Sequence, residues 1–206
     1  MPYNAQLVAV SKTKPVEAIL EAYNAGQRIF GENKVQEMVE KYEALPKDIQ
    51  WHLIGHLQTN KVKYIAPFVS LIQSVDSFKL LQEINKEASK NNRVIECLLQ
   101  IHIAKEETKF GLSFDEAKEI IFSPETKALK NIKIVGLMGM ATNTDDIEQI
   151  REEFKTLHNF FLDCQMSIVN CQLSMGMSSD YKIAIEEGSN LVRIGSAIFG
   201  ERNYTN

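Results

Sequence analysis

A lysine follows the first apolar run of the sequence. Lys12 comes after the apolar residues Leu7–Val10 and one serine. An unperturbed lysine has a pKa of about 10.4 and is therefore a weak nucleophile at neutral pH. Partial desolvation, or a cationic neighbour such as Lys14, would lower that pKa and favour Schiff-base formation with an aldehyde. Taken alone, Lys12 is more typical of a solvated lysine at the end of a strand.

Two segments near the C-terminus carry groups that suit a phosphate. In Ser174–Asp180 (SMGMSSD), serine hydroxyls precede a predicted helix, whose first backbone N–H groups lack partners within the helix. In Val192–Ser196 (VRIGS), the Ser196 hydroxyl and two backbone amides can donate, and Gly195 would let a phosphate approach the backbone closely. Simple capping of the helix by Ser178 or Ser179 explains the first segment equally well.

One ligand would satisfy both features, because it needs an aldehyde for the lysine and a phosphate for the two segments. Pyridoxal 5′-phosphate (PLP) carries both groups on one ring. A phosphorylated sugar in a Schiff-base aldolase carries them as well. The residue types alone leave both ligands open.

The elements that must position these groups are strands that alternate with helices. The predicted strands are Gln6–Lys12, Arg28–Glu32, Gln50–Gly55, Leu71–Val75, Val94–Ile103, Ile132–Met140, Cys171–Met177 and Leu191–Gly195. Eight such units predict an α/β fold, a single-domain (β/α)8 TIM barrel over residues 1–206, and the length is near the lower limit of about 200 residues for this fold. A doubly wound open sheet is the alternative, but it usually has a glycine-rich loop after its first strand, where this chain has SKTKP.

In such a barrel, ligands bind at the face formed by the C-terminal ends of the strands, and phosphate commonly binds near strands seven and eight. That face would bring Lys12 together with both C-terminal segments. The other side chains expected there are Asn33, His56, Asp76, Lys105 or Lys109, and Met140.

Composition argues against several classes of function. The net charge is −4, so the broad basic surface of a nucleic-acid-binding protein is not expected. No apolar run approaches the roughly 20 residues of a membrane span, no secretion signal begins the chain, and the four histidines lack a metal-binding spacing. Three cysteines without a CxxC pair indicate a cytoplasmic protein. Since no apolar surface stripe stands out, we expect a monomer.

Motifs that run nearly from end to end of the chain decide between the two ligands. They are Leu7–Pro15 (LVAVSKTKP), Phe30–Glu37 (FGENKVQE), Trp51–Lys61 (WHLIGHLQTNK), Ser74–Asp76 (SVD), Lys109–Leu112 (KFGL), Gly136–Ala141 (GLMGMA), Leu173–Asp180 (LSMGMSSD) and Leu191–Gly200 (LVRIGSAIFG). In these motifs and their order, the chain resembles the pyridoxal phosphate homeostasis proteins, which are relatives of the N-terminal barrel of bacterial alanine racemase. The resemblance implies that PLP is the ligand.

The resemblance also implies a role for each candidate residue. The cofactor-binding set would be Lys12, Asn33, Ser178, Arg193, Gly195 and Ser196. Lys12 would form the Schiff base, Asn33 would lie beside the ring, Arg193 would face the pyridine nitrogen, and the other three would hold the phosphate. Because arginine can only donate hydrogen bonds, that nitrogen would stay unprotonated, and the ring would be a weak electron sink.

Two functions remain open. The first is a carrier that buffers PLP in the cell and passes it to apo-enzymes. The second is a PLP-dependent amino-acid racemase, which needs proton-transfer groups on both faces of the substrate carbon. In the racemases that the chain resembles, the second group is a tyrosine from an additional β-domain of the partner subunit. This chain ends at Asn206, directly after the eighth unit, so we expect a carrier with no catalytic residues and no metal.

The sequence departs from the family pattern at three places. Only Met1–Ala5 precede the first strand, where relatives usually have a helix. Lys34 replaces a residue that is often aromatic, and His56 replaces a common proline. We expect His56 to be a loop substitution that does not face the cofactor.

Overall fold

The computed structural model describes residues 5–106, 110–164 and 171–200. Within these residues, eight parallel strands close into a barrel in sequence order, with the last strand paired to the first. The strands are β1 (Gln6–Val10), β2 (Ile29–Glu32), β3 (Gln50–Leu53), β4 (Leu71–Val75), β5 (Ile95–Ile101), β6 (Ile132–Gly139), β7 (Gln172–Ser174) and β8 (Leu191–Ile194). The predicted (β/α)8 barrel is confirmed.

Helices follow the strands and cover the outside of the barrel. They are α1 (Val16–Asn24), α2 (Val35–Ala44), α3 (Val62–Ile65, after a 3-10 turn at Thr59–Lys61), α4 (Phe78–Lys90), α5 (Phe114–Phe122), α6 (Pro124–Ala128), α7 (Ile147–Cys164), α8 (Tyr181–Glu186) and α9 (Ser196–Phe199). Among the residues described, no helix is long and apolar enough to cross a membrane.

Seven of the eight predicted strands are shorter in the structure, and two of these differences lie at the candidate segments. The first ends at Val10 instead of Lys12, because the chain turns at Lys12 and Thr13, where Thr13 has a φ of 64°. The seventh covers Gln172–Ser174 instead of Cys171–Met177. Gly176 has a φ of 90°, which extended backbone does not adopt, so the strand cannot continue through it. Lys12 and Met175–Asp180 therefore follow their strands rather than forming part of them.

The alternation of side chains along each strand divides the core into two layers. In β1, Val8 points into the barrel, and the next residue, Ala9, points outward to the helices. The outer layer is the larger one and contains Phe30, Trp51 and Phe154. The inner apolar cluster consists of Val8, Ile29, Leu71, Leu98, Val135, Met138 and Leu191. It is small because polar side chains fill the rest of the interior.

The closure between β1 and β8 determines which functional residues become neighbours. Val8 stands opposite Arg193 in this pair, and Ala9 stands opposite Ile194. The turn that carries Lys12 therefore leaves the barrel next to the turn that carries Gly195 and Ser196.

Candidate functional site

One cavity of about 720 Å³ lies at the C-terminal ends of the strands. Its volume is within the range of about 300–1,000 Å³ that is usual for small-molecule sites. The residues predicted from the sequence all line it, namely Lys12, Asn33, Ser178, Arg193, Gly195 and Ser196. The fold thus brings together groups from the first, second, seventh and eighth units.

A charged cluster, which we define as Glu32, Glu37 and Lys41, holds the turn that carries Lys12. The Lys41 ammonium on α2 donates to the Ser11 carbonyl oxygen at 2.7 Å, to Glu32 Oε1 at 2.8 Å and to Glu37 Oε1 at 2.7 Å. The turn donates in return: Ser11 Oγ to Glu32 Oε1 at 2.5 Å, and the backbone N–H that follows Lys12 to Glu37 Oε1 at 2.5 Å. The backbone is therefore fixed on both sides of Lys12.

The charged cluster is largely removed from water. Glu32 is fully buried and Lys41 is 5% exposed. Burial raises the pKa of Glu32, although the Lys41 charge and the hydrogen bonds from Lys41 and Ser11 act in the opposite direction. Desolvating two charges is expensive, and their mutual attraction offsets that cost only while both partners remain in place. The cluster therefore makes the position of Lys12 depend on an intact ion pair.

Lys14 lines the same cavity, and its ammonium is hydrogen-bonded to the C-terminal part of the barrel. Its ammonium donates to the carbonyl oxygens of Phe199 at 2.8 Å and Gly200 at 3.1 Å, just after β8. Lys14, the second cation expected near Lys12, therefore lines the cavity. Its hydrogen bonds also connect the first turn of the barrel to the last.

Arg193 lies inside the barrel beneath the cavity. It is 4% exposed, and its guanidinium donates through one terminal nitrogen to Ser174 Oγ and through the other to the Gly139 carbonyl oxygen, the latter at 3.0 Å. Burial lowers the pKa of Arg193 to about 10, while the charge of Asp180 acts to raise it. At neutral pH the side chain is therefore a fixed cation that can only donate hydrogen bonds.

Ser178 connects the two segments predicted to bind phosphate. Its Oγ accepts a hydrogen bond from the Gly195 N–H at 3.2 Å. The helix that follows begins at Tyr181, with Asp180 at its N-cap position, so capping by Ser178 does not occur. The Ser178 and Ser196 hydroxyls and the turn after β8 form one donor-rich wall of the cavity.

The structure shows a close contact at Gly195 that the sequence did not predict. A Cβ at Gly195 would stand 3.2 Å from the Val10 carbonyl oxygen and 3.3 Å from the Val10 Cβ. These are tighter than ordinary van der Waals contacts, so the missing side chain lets β8 approach the end of β1. Approach of a phosphate, the reason predicted for this glycine, stays a prediction beside the contact with β1.

Asn33 and His56 enter the cavity from the second and third units. Asn33 is placed by Gly55, because a Cβ on that glycine would stand only 2.4 Å from the Asn33 carbonyl oxygen. His56 lines the cavity, as predicted for a residue at the end of its strand, and the expectation that it does not face the cofactor stays a prediction. Its Nδ1 lies 3.0 Å from Asp76 Oδ2, and its ring stacks on Phe110 with centroids 4.2 Å apart.

The remaining strand-end candidates do not all lie at the cavity. Met140 lines the cavity, and Asp76 contacts His56. Lys105 lines a separate pocket beside α7, and Lys109 lies outside the described residues. The charged cluster was not predicted, although Glu37 and Lys41 have the i,i+4 spacing of a helical ion pair within and just after the FGENKVQE segment.

The residues of the cavity match the chemistry of PLP. Lys12 supplies an amine, Arg193 supplies a buried donor, and Ser178 and Ser196 supply hydroxyls for a phosphate. Apolar side chains such as Met140 give the ring a surface to pack against. Within the described ranges, no group of three or more His, Cys, Asp or Glu side chains could hold a metal ion.

Fold and site together define a class of protein: a (β/α)8 barrel with a lysine, a buried arginine and a hydroxyl-rich wall around one cavity. The family model of the alanine racemase N-terminal domain matches residues 1–203. A pyridoxal phosphate homeostasis protein of Aquifex aeolicus is 45% identical over 203 residues, which cover 97% of this chain and 88% of the relative. The human protein of the same name is 39% identical and covers 97% of this chain and 78% of the relative.

Comparison with solved structures gives the same family as comparison with related sequences. PipY of Synechococcus elongatus is 35% identical, with 97% of this chain and 94% of that chain covered, and its TM-score is 0.90 without PLP and 0.86 with PLP bound. The chain belongs to the pyridoxal phosphate homeostasis protein family, within the alanine racemase N-terminal domain family. An alanine racemase of Clostridium difficile shares the fold, with a TM-score of 0.80 at 15% identity over 100% of this chain and 57% of that chain.

Proposed function

We propose that the protein binds PLP reversibly through Lys12 and serves in PLP homeostasis, as a carrier and buffer of the cofactor. The observation that carries this proposal is the convergence of all six candidate residues on one cavity. Membership of a family whose relatives are named for PLP homeostasis supports it, as does the related PipY structure with PLP bound.

In this proposal each residue has a binding role. Lys12 forms the Schiff base with the aldehyde, and the charged cluster keeps its backbone in place. Ser178, Gly195 and Ser196 receive the phosphate. When bound, PLP would supply an electrophilic carbon and a conjugated ring.

Arg193 and Asn33 are the two residues proposed to contact the ring. Arg193 donates to the pyridine nitrogen, which holds that nitrogen unprotonated and the ring in a weakly reactive form. Asn33 lies beside the ring. A weakly reactive ring suits storage of the cofactor better than catalysis.

The attachment to Lys12 is tested by reduction with borohydride. The PLP-loaded protein should absorb in the visible range, and reduction followed by peptide mapping should place the added mass on the peptide that contains Lys12. Lys12→Ala should abolish the covalent label, and Lys63→Ala, a change of an exposed lysine on α3, should leave it intact. A label on any peptide without Lys12 would overturn the assignment.

The ring contact is tested with Arg193→Ala. Loss of a buried charged donor should weaken PLP binding about tenfold or more, since such hydrogen bonds contribute about 1.5–3 kcal/mol. Arg151→Ala is the matched control, because Arg151 pairs with Glu186 and Glu187 at the surface. Titration followed by absorbance measures both variants. Unchanged affinity and spectrum in Arg193→Ala would argue against the contact.

A PLP-dependent racemase is the second candidate, and one observation favours it. His56, held by Asp76, lies in the same cavity as Lys12 and could serve as a second proton-transfer group. Among the described residues, no tyrosine lines the cavity. Incubation of the loaded protein with L-alanine decides between the two: we expect no D-alanine above background, and turnover at enzymatic rates would reject the carrier.

We propose one PLP-binding domain over residues 1–206, acting as a cytoplasmic monomer that passes PLP to apo-enzymes. Free thiols at Cys97, Cys164 and Cys171 are consistent with a reducing compartment. Light scattering measures the oligomeric state, and activation of a PLP-free enzyme by the loaded protein measures transfer.

A further inference from the structure

A chain of hydrogen bonds crosses the inside of the barrel from Arg193. The guanidinium donates to Ser174 Oγ, Ser174 Oγ lies 2.7 Å from Gln73 Oε1, and Gln73 Nε2 lies 3.0 Å from His52 Nδ1. All four side chains are at most 5% exposed. We call this the interior chain.

The interior chain spans the whole width of the barrel. Arg193 and Ser174 belong to β8 and β7, whereas Gln73 and His52 belong to β4 and β3 on the opposite wall. Barrel interiors of this fold are usually filled by branched apolar side chains. Polar groups in this position need mutual hydrogen bonds, because an unpaired buried donor or acceptor costs about 1–3 kcal/mol.

The placement of the Gln73 amide sets the direction of the bonds in the interior chain, because its Oε1 lies toward Ser174 and its Nε2 toward His52. Arginine has no acceptor, so Ser174 Oγ accepts from it, and the Ser174 hydroxyl donates its own proton to Gln73 Oε1. The Gln73 carbonyl then faces Ser174, so its amide N–H points to His52, whose Nδ1 must accept. A neutral imidazole does this, and burial lowers the pKa of His52 to about 3. Each side chain is therefore oriented by the next, and His52 is the last acceptor.

The other half of the guanidinium is held by the backbone. Its second terminal nitrogen donates to the Gly139 carbonyl oxygen on β6 at 3.0 Å. Two anchors on two nitrogens fix both the position and the plane of the group at the cavity. One anchor is backbone and cannot be removed by substitution, whereas the other depends on three side chains.

We propose that Ser174, Gln73 and His52 are positioning residues that orient the Arg193 guanidinium toward the ligand, so that His52 on the far wall influences how PLP is held. This rests on the proposed function, because the ligand that Arg193 faces is taken to be PLP. None of the three needs to touch the ligand. They act by keeping one arginine in one orientation.

The test compares His52→Leu with His52→Asn. Leucine removes the final acceptor and leaves the Gln73 amide unpaired, so Gln73, Ser174 and Arg193 should rearrange. Asparagine can place its carbonyl oxygen near the position of Nδ1 and should restore the interior chain. We expect PLP affinity to fall about tenfold and the absorption maximum to move in His52→Leu, with most of both effects reversed in His52→Asn.

A purely structural role for His52 predicts a different result. It would lower the melting temperature without moving the absorption maximum of the PLP that remains bound. Wild-type affinity and spectrum in a folded His52→Leu protein would overturn the proposal. If that variant does not fold, Gln73→Met, which has a similar shape but no amide, provides the same comparison.

Crystal structures of the ligand-free variants separate this proposal from the proposed function. In His52→Leu, the Arg193 guanidinium should leave Ser174 Oγ, and in His52→Asn it should remain there. An unmoved Arg193 in His52→Leu would overturn the positioning role whatever the protein binds. Failure of the wild-type protein to bind PLP would instead defeat the proposed function, and the displacement of Arg193 would still decide the positioning role.

Discussion

The two sides of the cavity are held by different kinds of interaction. Around Lys12, the charged cluster grips the backbone with a buried ammonium and two carboxylates. Beneath Arg193, the interior chain is neutral beyond the guanidinium and ends at an uncharged imidazole. The first side fixes the backbone of a turn, and the second fixes a side chain on a paired strand.

The difference shows that the strength of the interactions on each side depends on the conformation that they stabilise. The turn at Lys12 includes a non-glycine residue with positive φ, Thr13, and such a conformation persists only where the surroundings impose it. Arg193 already lies on a paired strand and needs only its plane fixed. We therefore expect loss of one charged partner to cost far more than loss of one neutral partner.

Lys41→Met should give the largest effect on stability. It leaves the buried Glu32 carboxylate and Glu37 without their cation, and breaking a buried pair in this way costs about 3–5 kcal/mol. Urea denaturation of the ligand-free protein measures the free energy of unfolding. Glu32→Gln/Lys41→Met should be more stable than Lys41→Met, because no uncompensated charge remains at position 32. A loss below about 1 kcal/mol in Lys41→Met would show that the two sides do not differ in this way.

Low pH should destabilise the Arg193 side of the cavity, because it favours protonation of His52. Its pKa is lowered from 6.5 to about 3 in the folded protein, so the folded state favours the neutral form and loses stability as pH falls from about 6.5 toward 3. The slope should reach about 1.4 kcal/mol per pH unit. Glu32 has the opposite effect. Its pKa is raised in the folded protein, so protonation of Glu32 favours the folded state, and this stabilisation is lost as pH rises above 4.5.

Comparison with His52→Asn isolates the histidine contribution to this pH dependence. Urea denaturation at several values between pH 5 and 6.5 should give a steeper fall for the wild-type protein than for the variant. Equal slopes would mean that His52 does not stay neutral in the folded state.

Ser178→Ala should give the smallest effect. It removes the acceptor of the Gly195 N–H, a single neutral hydrogen bond whose loss costs about 0.5–1.5 kcal/mol. Ser179→Ala is the matched control, since this neighbouring serine is exposed. Thermal melts of the ligand-free proteins measure both. An effect of Ser178→Ala as large as that of Lys41→Met would remove the contrast between the two sides.

Much of the fold was predictable from local patterns, and the errors have local causes. The strand Leu71–Val75 has the predicted bounds, because a short apolar run with turn residues on both sides allows one interpretation. The helix α6 (Pro124–Ala128) was not predicted, although Ser123 caps it and Pro124 stands in its first turn. Five residues are too few for a periodic pattern, so only these end signals could have revealed it.

Site residues that lie within a motif were predictable from the sequence. Contacts between residues that are far apart in the sequence were not. Lys12 and Arg193 were identified through their motifs, and both line the cavity. The interior chain joins Ser174 to Gln73 across 101 residues, and no spacing within the sequence reveals such a pairing. The available signal was the pair of polar residues Gln73 and Ser74 between the apolar residues of LIQSV. That pattern marks a buried polar group but does not name its partner.

The pairing of β1 with β8 has a consequence for the time at which the site forms during synthesis. The Lys14 ammonium and the Phe199 carbonyl that it contacts are 185 residues apart, so a nascent chain carries Lys12 long before the opposite wall of the cavity has been translated. Until β8 emerges, β1 has one unpaired edge, and contacts of such long range form late in folding. Lys12 is therefore made first and the cavity that it lines is completed last, so the complete cavity exists only in barrels that have closed.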